Sequence, residues 1–163
     1  MKQLLIVYHT QTGGTLQMAQ AAATAATQQS SVAVRLDVAT AVGPEDLLES
    51  SGYLFACPEN LAGMSGLMKD FFDRTYYPVL DQIQGRPYAV LICAGSDGTN
   101  AARQIERIAT GWRLKAIADP LIVCTHAQSP ERILARKQID AADLARCAEL
   151  GATLAAGLDL GIY

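Results

Sequence analysis

Residues 3–8 read Gln-Leu-Leu-Ile-Val-Tyr, residues 9–15 read His-Thr-Gln-Thr-Gly-Gly-Thr, and an alanine-rich run then continues to Gln29. A short apolar run without alternation, closed by turn formers and followed by helical composition, predicts a buried parallel strand feeding a helix. The loop between them then stands at a helix N-terminus on the carboxyl edge of a sheet. Free N–H groups and the helix dipole favour an anion there, and Thr10, Thr12 and Thr15 add hydroxyls. The same residues equally suit a plain tight turn and cap, so the loop alone leaves both readings open. Two familiar phosphate loops are excluded: there is no Lys before Ser or Thr, as a P-loop needs, and no G-x-G-x-x-G. The loop carries no Lys or Arg, which suits a monoester phosphate held by neutral donors better than a transferring triphosphate.

Working outward, four further runs predict strands: Val32 to Val38, Gly52 to Cys57, Pro87 to Cys93 and Leu121 to Thr125. Helical segments fall between them at Thr15 to Gln29, Glu45 to Glu49, Ser65 to Tyr77 and Thr99 to Trp112, with a last one at Ala141 to Leu158. Thr15 and Ser65 suit N-caps, Pro44 suits a helix start and Pro78 a helix exit. Alternating strand and helix predicts right-handed crossovers and an α/β three-layer sandwich, with a parallel sheet covered by helices on both faces. Ligands of such sheets bind at the carboxyl ends of the strands.

The chain has 163 residues, half of them apolar, which suits one domain spanning 1–163 and leaves little room for a second. A net charge of −3 with scattered Lys and Arg offers no basic stripe for nucleic acid. No run is long enough to cross a bilayer or to serve as a signal-peptide core, so a cytoplasmic protein without membrane insertion is expected. Cys57, Cys93, Cys124 and Cys147 form no C-x-x-C pair, and the first three, in apolar strand-like runs, suit small buried hydrophobes; no metal site is expected. His9 stands beside the loop as a further donor, whereas His126 has no Ser or Cys partner motif, so a hydrolase triad has no support.

After the third strand come Cys57-Pro58-Glu59-Asn60-Leu61-Ala62-Gly63-Met64-Ser65 and then Met68-Lys69-Asp70-Phe71-Phe72-Asp73-Arg74. Met68, Phe71 and Phe72 fit ordinary amphipathic packing, and Lys69, Asp70, Asp73 and Arg74 fit helix-surface pairs. The fourth strand ends in Ala94-Gly95-Ser96-Asp97-Gly98. Three loops at three strand ends would therefore converge on one crevice.

The Thr-x-Thr-Gly-x-Thr pattern at Thr10, Thr12, Gly13 and Thr15 resembles the phosphate loop of the flavodoxin-like superfamily. The Pro58 to Arg74 segment is similar to that of its NAD(P)H-dependent FMN reductases and quinone reductases. The resemblance covers essentially the whole chain and implies a five-stranded sheet of order 2-1-3-4-5. It also implies FMN as cofactor, held by Thr10, Gln11, Thr12, Gly13, Gly14 and Thr15 at the phosphate. Pro58, Glu59, Asn60, Leu61, Gly63, Met64, Gly95, Ser96 and Asp97 would hold the ring. No catalytic side chain is implied, because flavin carries the redox chemistry. NAD(P)H is the implied electron donor and a quinone or other small molecule the acceptor. Related reductases often dimerise or form higher homo-oligomers so that a second subunit completes the site.

The loops contain no aromatic residue to shield a ring, unlike those of electron-carrier flavodoxins, which favours a reductase with an open ring face. A one-electron carrier of flavodoxin type is the rival reading. A cofactor-free binding protein of the same fold is a third, since the Glu59 carboxylate in a ring loop would repel an anionic reduced flavin. Tyr76 and Tyr77 have no assigned role.

Overall fold

In the computed structural model, which describes residues 1–163, the chain runs β1 (Gln3–Tyr8), α1 (Gly14–Gln29), β2 (Ala33–Val38), α2 (Pro44–Glu49), β3 (Gly52–Asn60), β4 (Gly63–Met64), α3 (Gly66–Val79), β5 (Pro87–Ala94), α4 (Thr99–Gly111), β6 (Lys115–Ala116), β7 (Leu121–Cys124), α5 (Pro130–Leu134) and α6 (Ala141–Leu160). The sheet order is β2-β1-β3-β5, with β6 and β7 both pairing the outer side of β5. All these pairings are parallel. Counting β6 and β7 as one interrupted fifth strand, this is the 2-1-3-4-5 order of the flavodoxin-like fold expected from the sequence. The interruption follows from residues 117–120, where Asp119 and Pro120 cannot sustain a ladder.

The strand periodicity of two sorts side chains into two cores. Leu5 and Val7, Tyr53 and Phe55, and Tyr88, Val90 and Ile92 face one side, where Leu47, Met68, Phe71, Phe72, Ile105 and Trp112 cover them. Leu4 and Ile6, Leu54 and Ala56, and Ala89 and Leu91 face the other, where Met18, Ala19, Ala22, Leu150 and Leu154 cover them. The first face is aromatic: Phe55 is fully buried within 5.2 Å of the Phe72 ring centroid and 6.4 Å of Trp112. Burying a side chain of this size stabilises the fold by about 1.5–3 kcal/mol. The second face is lined by alanines of α1, which lets α1 and α6 approach closely. At the β2 edge, the guanidinium of Arg35 bridges Asp37 (2.5 Å) and Asp46 (2.8 Å), charges that discourage further strand pairing.

Local departures from the sequence reading are small. Gly13, with φ +91°, is the N-cap of α1, and Thr15 sits inside its first turn. Ser65 is the N-cap of α3, yet its hydroxyl goes to His9 instead of the helix backbone. Pro78 lies within the last turn of α3. Lys69–Asp73 and Arg74–Asp70 form i,i+4 pairs, and Arg74 also donates to the carbonyls of Val42 and Ala39, tying α3 to the segment before α2. Tyr76 stacks on Trp112 and Tyr77 is exposed; neither approaches the strand-end crevice. No helix is long and apolar enough to cross a membrane.

Candidate functional site

Because the main strands are parallel, their carboxyl ends meet along one edge of the sheet. There the loops after β1, β3, β5 and β7 surround a cavity of about 600 Å³, within the size range of small-ligand sites. Gln11 and Thr12 line it from the first loop, Pro58, Glu59, Asn60 and Leu61 from the second, and Gly95 and Ser96 from the third. These sequence-derived candidates are brought together. Thr10, Gly13, Gly14, Thr15, Gly63, Met64 and Asp97 do not line the cavity.

The first loop folds on itself. Thr10 Oγ1 accepts the Gly13 N–H (3.0 Å), and Gly13 takes the left-handed backbone that a side chain would resist. A Cβ on Gly14 would lie 2.8 Å from Cys93 Sγ, so only glycine lets the helix start this close to β5. At the next residue, Thr15 is 1% exposed, and its Oγ1 is the buried side-chain polar atom without a hydrogen-bond partner. Burying a hydroxyl without a partner costs about 1–3 kcal/mol. An orphaned donor at a helix N-terminus, where the first backbone N–H groups have no intrahelical acceptor, fits a phosphate monoester.

The second loop is a hairpin, with Glu59 opposite Met64 and Asn60 opposite Gly63. Its two central residues, Leu61 (φ +50°) and Ala62 (φ +62°), hold the left-handed conformation that a two-residue hairpin turn demands but that neither side chain favours. Such strain costs of order 1–3 kcal/mol per residue and gathers at ligand clamps. Asn100 Nδ2 donates to the Ala62 carbonyl and Gln104 Oε1 accepts from the Met64 N–H (2.8 Å), so α4 fixes the turn. Leu61 is left fully exposed at the cavity mouth.

Glu59 lines the cavity, but its carboxylate caps α4, accepting the N–H groups of Gly98 (2.9 Å) and Ala101 (3.1 Å). Asp97 is committed to the same helix start, accepting from the Thr99 N–H and hydroxyl. Met64 packs into the aromatic core. His9 Nδ1 pairs with Ser65 Oγ at 2.7 Å, both groups buried, so His9 supports the second loop's exit.

Burial lowers the His9 pKa from its usual 6.5. The folded chain therefore resists a proton that the unfolded chain accepts below about pH 6.5. Stability is expected to be insensitive to His9 above pH 6.5. It should fall, by up to about 1.4 kcal/mol per pH unit, as the pH drops from 6.5 through the lowered folded-state value. Melting curves between pH 7.5 and 5 check this; His9→Asn should flatten the dependence in that window.

The fourth wall was not foreseen. Thr125, Ala127, Gln128, Ile133, Leu134 and Lys137 line the cavity from the segment after β7. Ala127 O lies 3.0 Å from the place a Gly95 Cβ would take, so this segment packs directly on the third loop. His126, with φ +58°, makes the bend. Lys137 brings to the first loop the cation that its own sequence lacks: Nζ stands 3.2 Å from Thr12 Oγ1. A polar run with weak helical signal gave no sign of this. No aromatic side chain lines the cavity. Burial pushes the Cys57 thiol up to about 12 and that of Cys93, on the cavity wall, up to about 11, so both stay protonated and poor nucleophiles near neutrality.

Comparison with known proteins agrees with this architecture. A flavodoxin of Aquifex aeolicus is 31% identical over 98 residues, which is 60% of this chain and 53% of that protein. The chain thus spans about half the length of the curated relative it matches. Among solved structures, a flavodoxin from the domain Archaea superposes with a TM-score of 0.77 at 19% identity, covering 94% of this chain and 96% of that one. A WrbA-like flavodoxin from Agrobacterium tumefaciens gives 0.74 at 18% identity, covering 98% and 99%. Rubredoxin oxygen:oxidoreductase from Desulfovibrio gigas gives 0.80 at 15% identity, with 98% of this chain matching 37% of that one. These distant likenesses establish the fold. Residues 36–129, more than half of the chain and including the second and third loops, match the family described as NADPH-dependent FMN reductase, and the chain belongs to that family.

Proposed function

We propose that this chain is an FMN-binding flavoprotein that carries electrons in the manner of a flavodoxin. The observation that carries the reading is the orphaned Thr15 hydroxyl in the first turn of α1, behind a first loop whose Gln11 and Thr12 line a cavity large enough for a flat ring. Thr10, Thr12, Gly13, Gly14 and Thr15 would hold the phosphate. Pro58, Asn60, Leu61, Gly95 and Ser96 would hold the ring, with backbone N–H groups at its polar edge. FMN, when bound, supplies reversible acceptance of one or two electrons. The chain's task is to bind and orient the group and to exclude water from one side of it, for which no general base is needed. Glu59 is no obstacle, since its charge is spent on α4. The flavodoxin likeness in sequence favours a carrier.

A second reading, an NAD(P)H-dependent reductase acting on a quinone or another small acceptor, is favoured by the family match and by the aliphatic, non-aromatic cavity walls. Flavin-loaded protein, freed of excess FMN by gel filtration, is expected to retain visible flavin absorbance with one FMN per chain. Anaerobic dithionite should reduce it in two separate one-electron steps, and NADPH and NADH should leave it oxidised. Rapid bleaching by either nucleotide in one two-electron step would transfer the assignment to the reductase. Absence of any retained flavin would refute both.

A further inference from the structure

We infer that Lys137 is the residue by which this site selects a phosphorylated flavin, a cation delivered to the phosphate loop by the segment that follows β7. The inference rests on the FMN reading above and concerns a side chain outside the first loop and outside residues 36–129.

The placement of Lys137 is built from both sides. Its own N–H donates to the Thr12 carbonyl (2.8 Å), which docks the strap on the first loop. Gln17, one turn into α1, acts as a clamp: its Nε2 donates to the carbonyls of Gly13 (3.0 Å) and Lys137 (2.9 Å), and its Oε1 accepts the Ile139 N–H (3.0 Å). Lys137 Cβ lies 3.2 Å from the place where a Cβ on Gly14 would stand, so stem and loop are in contact. The ammonium is then directed by three acceptors: Thr12 Oγ1 (3.2 Å) and the carbonyls of Ile133 (2.8 Å) and Ala135 (2.7 Å).

A plainer role for Lys137 is to cap the carbonyls at the end of α5. That helix is only five residues long and wholly exposed, so water would serve its carbonyls as well. Capping alone also leaves unexplained why Gln17 fixes the backbone at Lys137 and two residues on at Ile139, and why Nζ reaches back to a loop hydroxyl. The field of the ammonium extends to the cavity wall, where it opposes the burial that raises the Cys93 thiol. Arg136, whose Cγ lies 3.8 Å from the place of a Gly13 Cβ, is exposed and hence screened by salt. Lys137 is half-buried, and no acidic residue stands in the first turn of α1 to oppose it. A dianionic phosphate in the loop gains a fixed positive charge at this position; a flavin lacking phosphate gains nothing from it.

The test compares FMN with riboflavin, each titrated by fluorescence quenching into the apoprotein, for the wild type, Lys137→Met and Lys137→Arg. Methionine keeps the stem and the backbone bonds that dock the strap, and melting curves confirm that each variant is folded. Because the three N–H donors of the ammonium are already engaged, its contribution is that of a partly buried charge acting through its field, and Lys137→Met is expected to weaken FMN about 5–30-fold while riboflavin affinity stays within about two-fold. Lys137→Arg should keep most of the preference. Raising salt should erode FMN affinity in the wild type more than in Lys137→Met. Equal losses for both flavins, or none for either, would overturn the proposal while leaving the FMN reading intact. A wild type that binds neither flavin would remove both.

Discussion

Gly151→Val is expected to lower the melting temperature by about 6–12 °C, the largest loss of stability predicted for a single substitution in this chain. A Cβ at Gly151 would stand 2.3 Å from the carbonyl oxygen of Ala22 and 2.7 Å from its Cα and carbonyl carbon. Those atoms belong to the backbone of α1 and cannot rotate aside. The two helices must therefore separate, which loosens Met18 and Ala19 on α1 and Leu150 and Leu154 on α6 together. Overpacking typically costs about 1–3 kcal/mol and the rigid obstacle argues for the upper end or beyond. In a chain of this size each kcal/mol moves the midpoint by about 2–4 °C. Leaving a helical glycine returns only a few tenths of a kcal/mol for valine, too little to reverse the sign. Gly66→Ala is the control, since a Cβ there meets nothing within 4 Å, and it should leave the midpoint unchanged or slightly raised. Thermal melts of the two variants check the pair; equal midpoints would mean that α1 and α6 can move apart freely.

The layered architecture was legible because it rests on short-range composition. Val-, Leu- and Ile-rich runs such as residues 3–8 and 87–93 need only a periodicity and a turn signal at each end to be placed. The hairpin at Glu59–Met64 was not legible, because Leu61 and Ala62 lack the Asn-Gly chemistry that marks such turns. What holds them is supplied by Asn100 and Gln104, about forty residues away in the chain. Glu59 shows the same limit: its sequence neighbours suggest a ring contact and it does line the cavity, but that its carboxylate is held by N–H groups of α4 is set by distant residues. The candidate site was thus visible as three loops and invisible as a cavity, since its fourth wall, with Lys137, is brought in by tertiary contacts between polar residues. Local pattern names the loops; only packing says which donors are already taken.

That distinction gives Thr15 its weight, and Thr15→Val should move stability and ligand affinity in opposite directions. In the unfolded chain the hydroxyl is hydrated; in the folded chain it is buried at 1% exposure without a partner. Valine has the same shape and no polar atom, so relief of the unmet hydrogen bond should stabilise the apoprotein by about 1 kcal/mol, or about 2–4 °C. The rotamer and backbone demands of the first turn are shared by both β-branched residues, so no other large change is introduced. If the hydroxyl is reserved for the FMN phosphate, the same substitution removes a hydrogen bond to a charged acceptor, which is worth about 1.5–3 kcal/mol. FMN affinity should then fall about 10–100-fold, and Thr15→Ser, which keeps the hydroxyl, should retain most of it. Melting curves of the apoprotein and fluorescence titration with FMN read the two effects separately. A variant that melts higher and still binds FMN as the wild type does would mean that the hydroxyl faces no ligand. One that melts lower would mean that the hydroxyl finds a partner within the fold, and the strongest argument for a phosphate at the start of α1 would be lost.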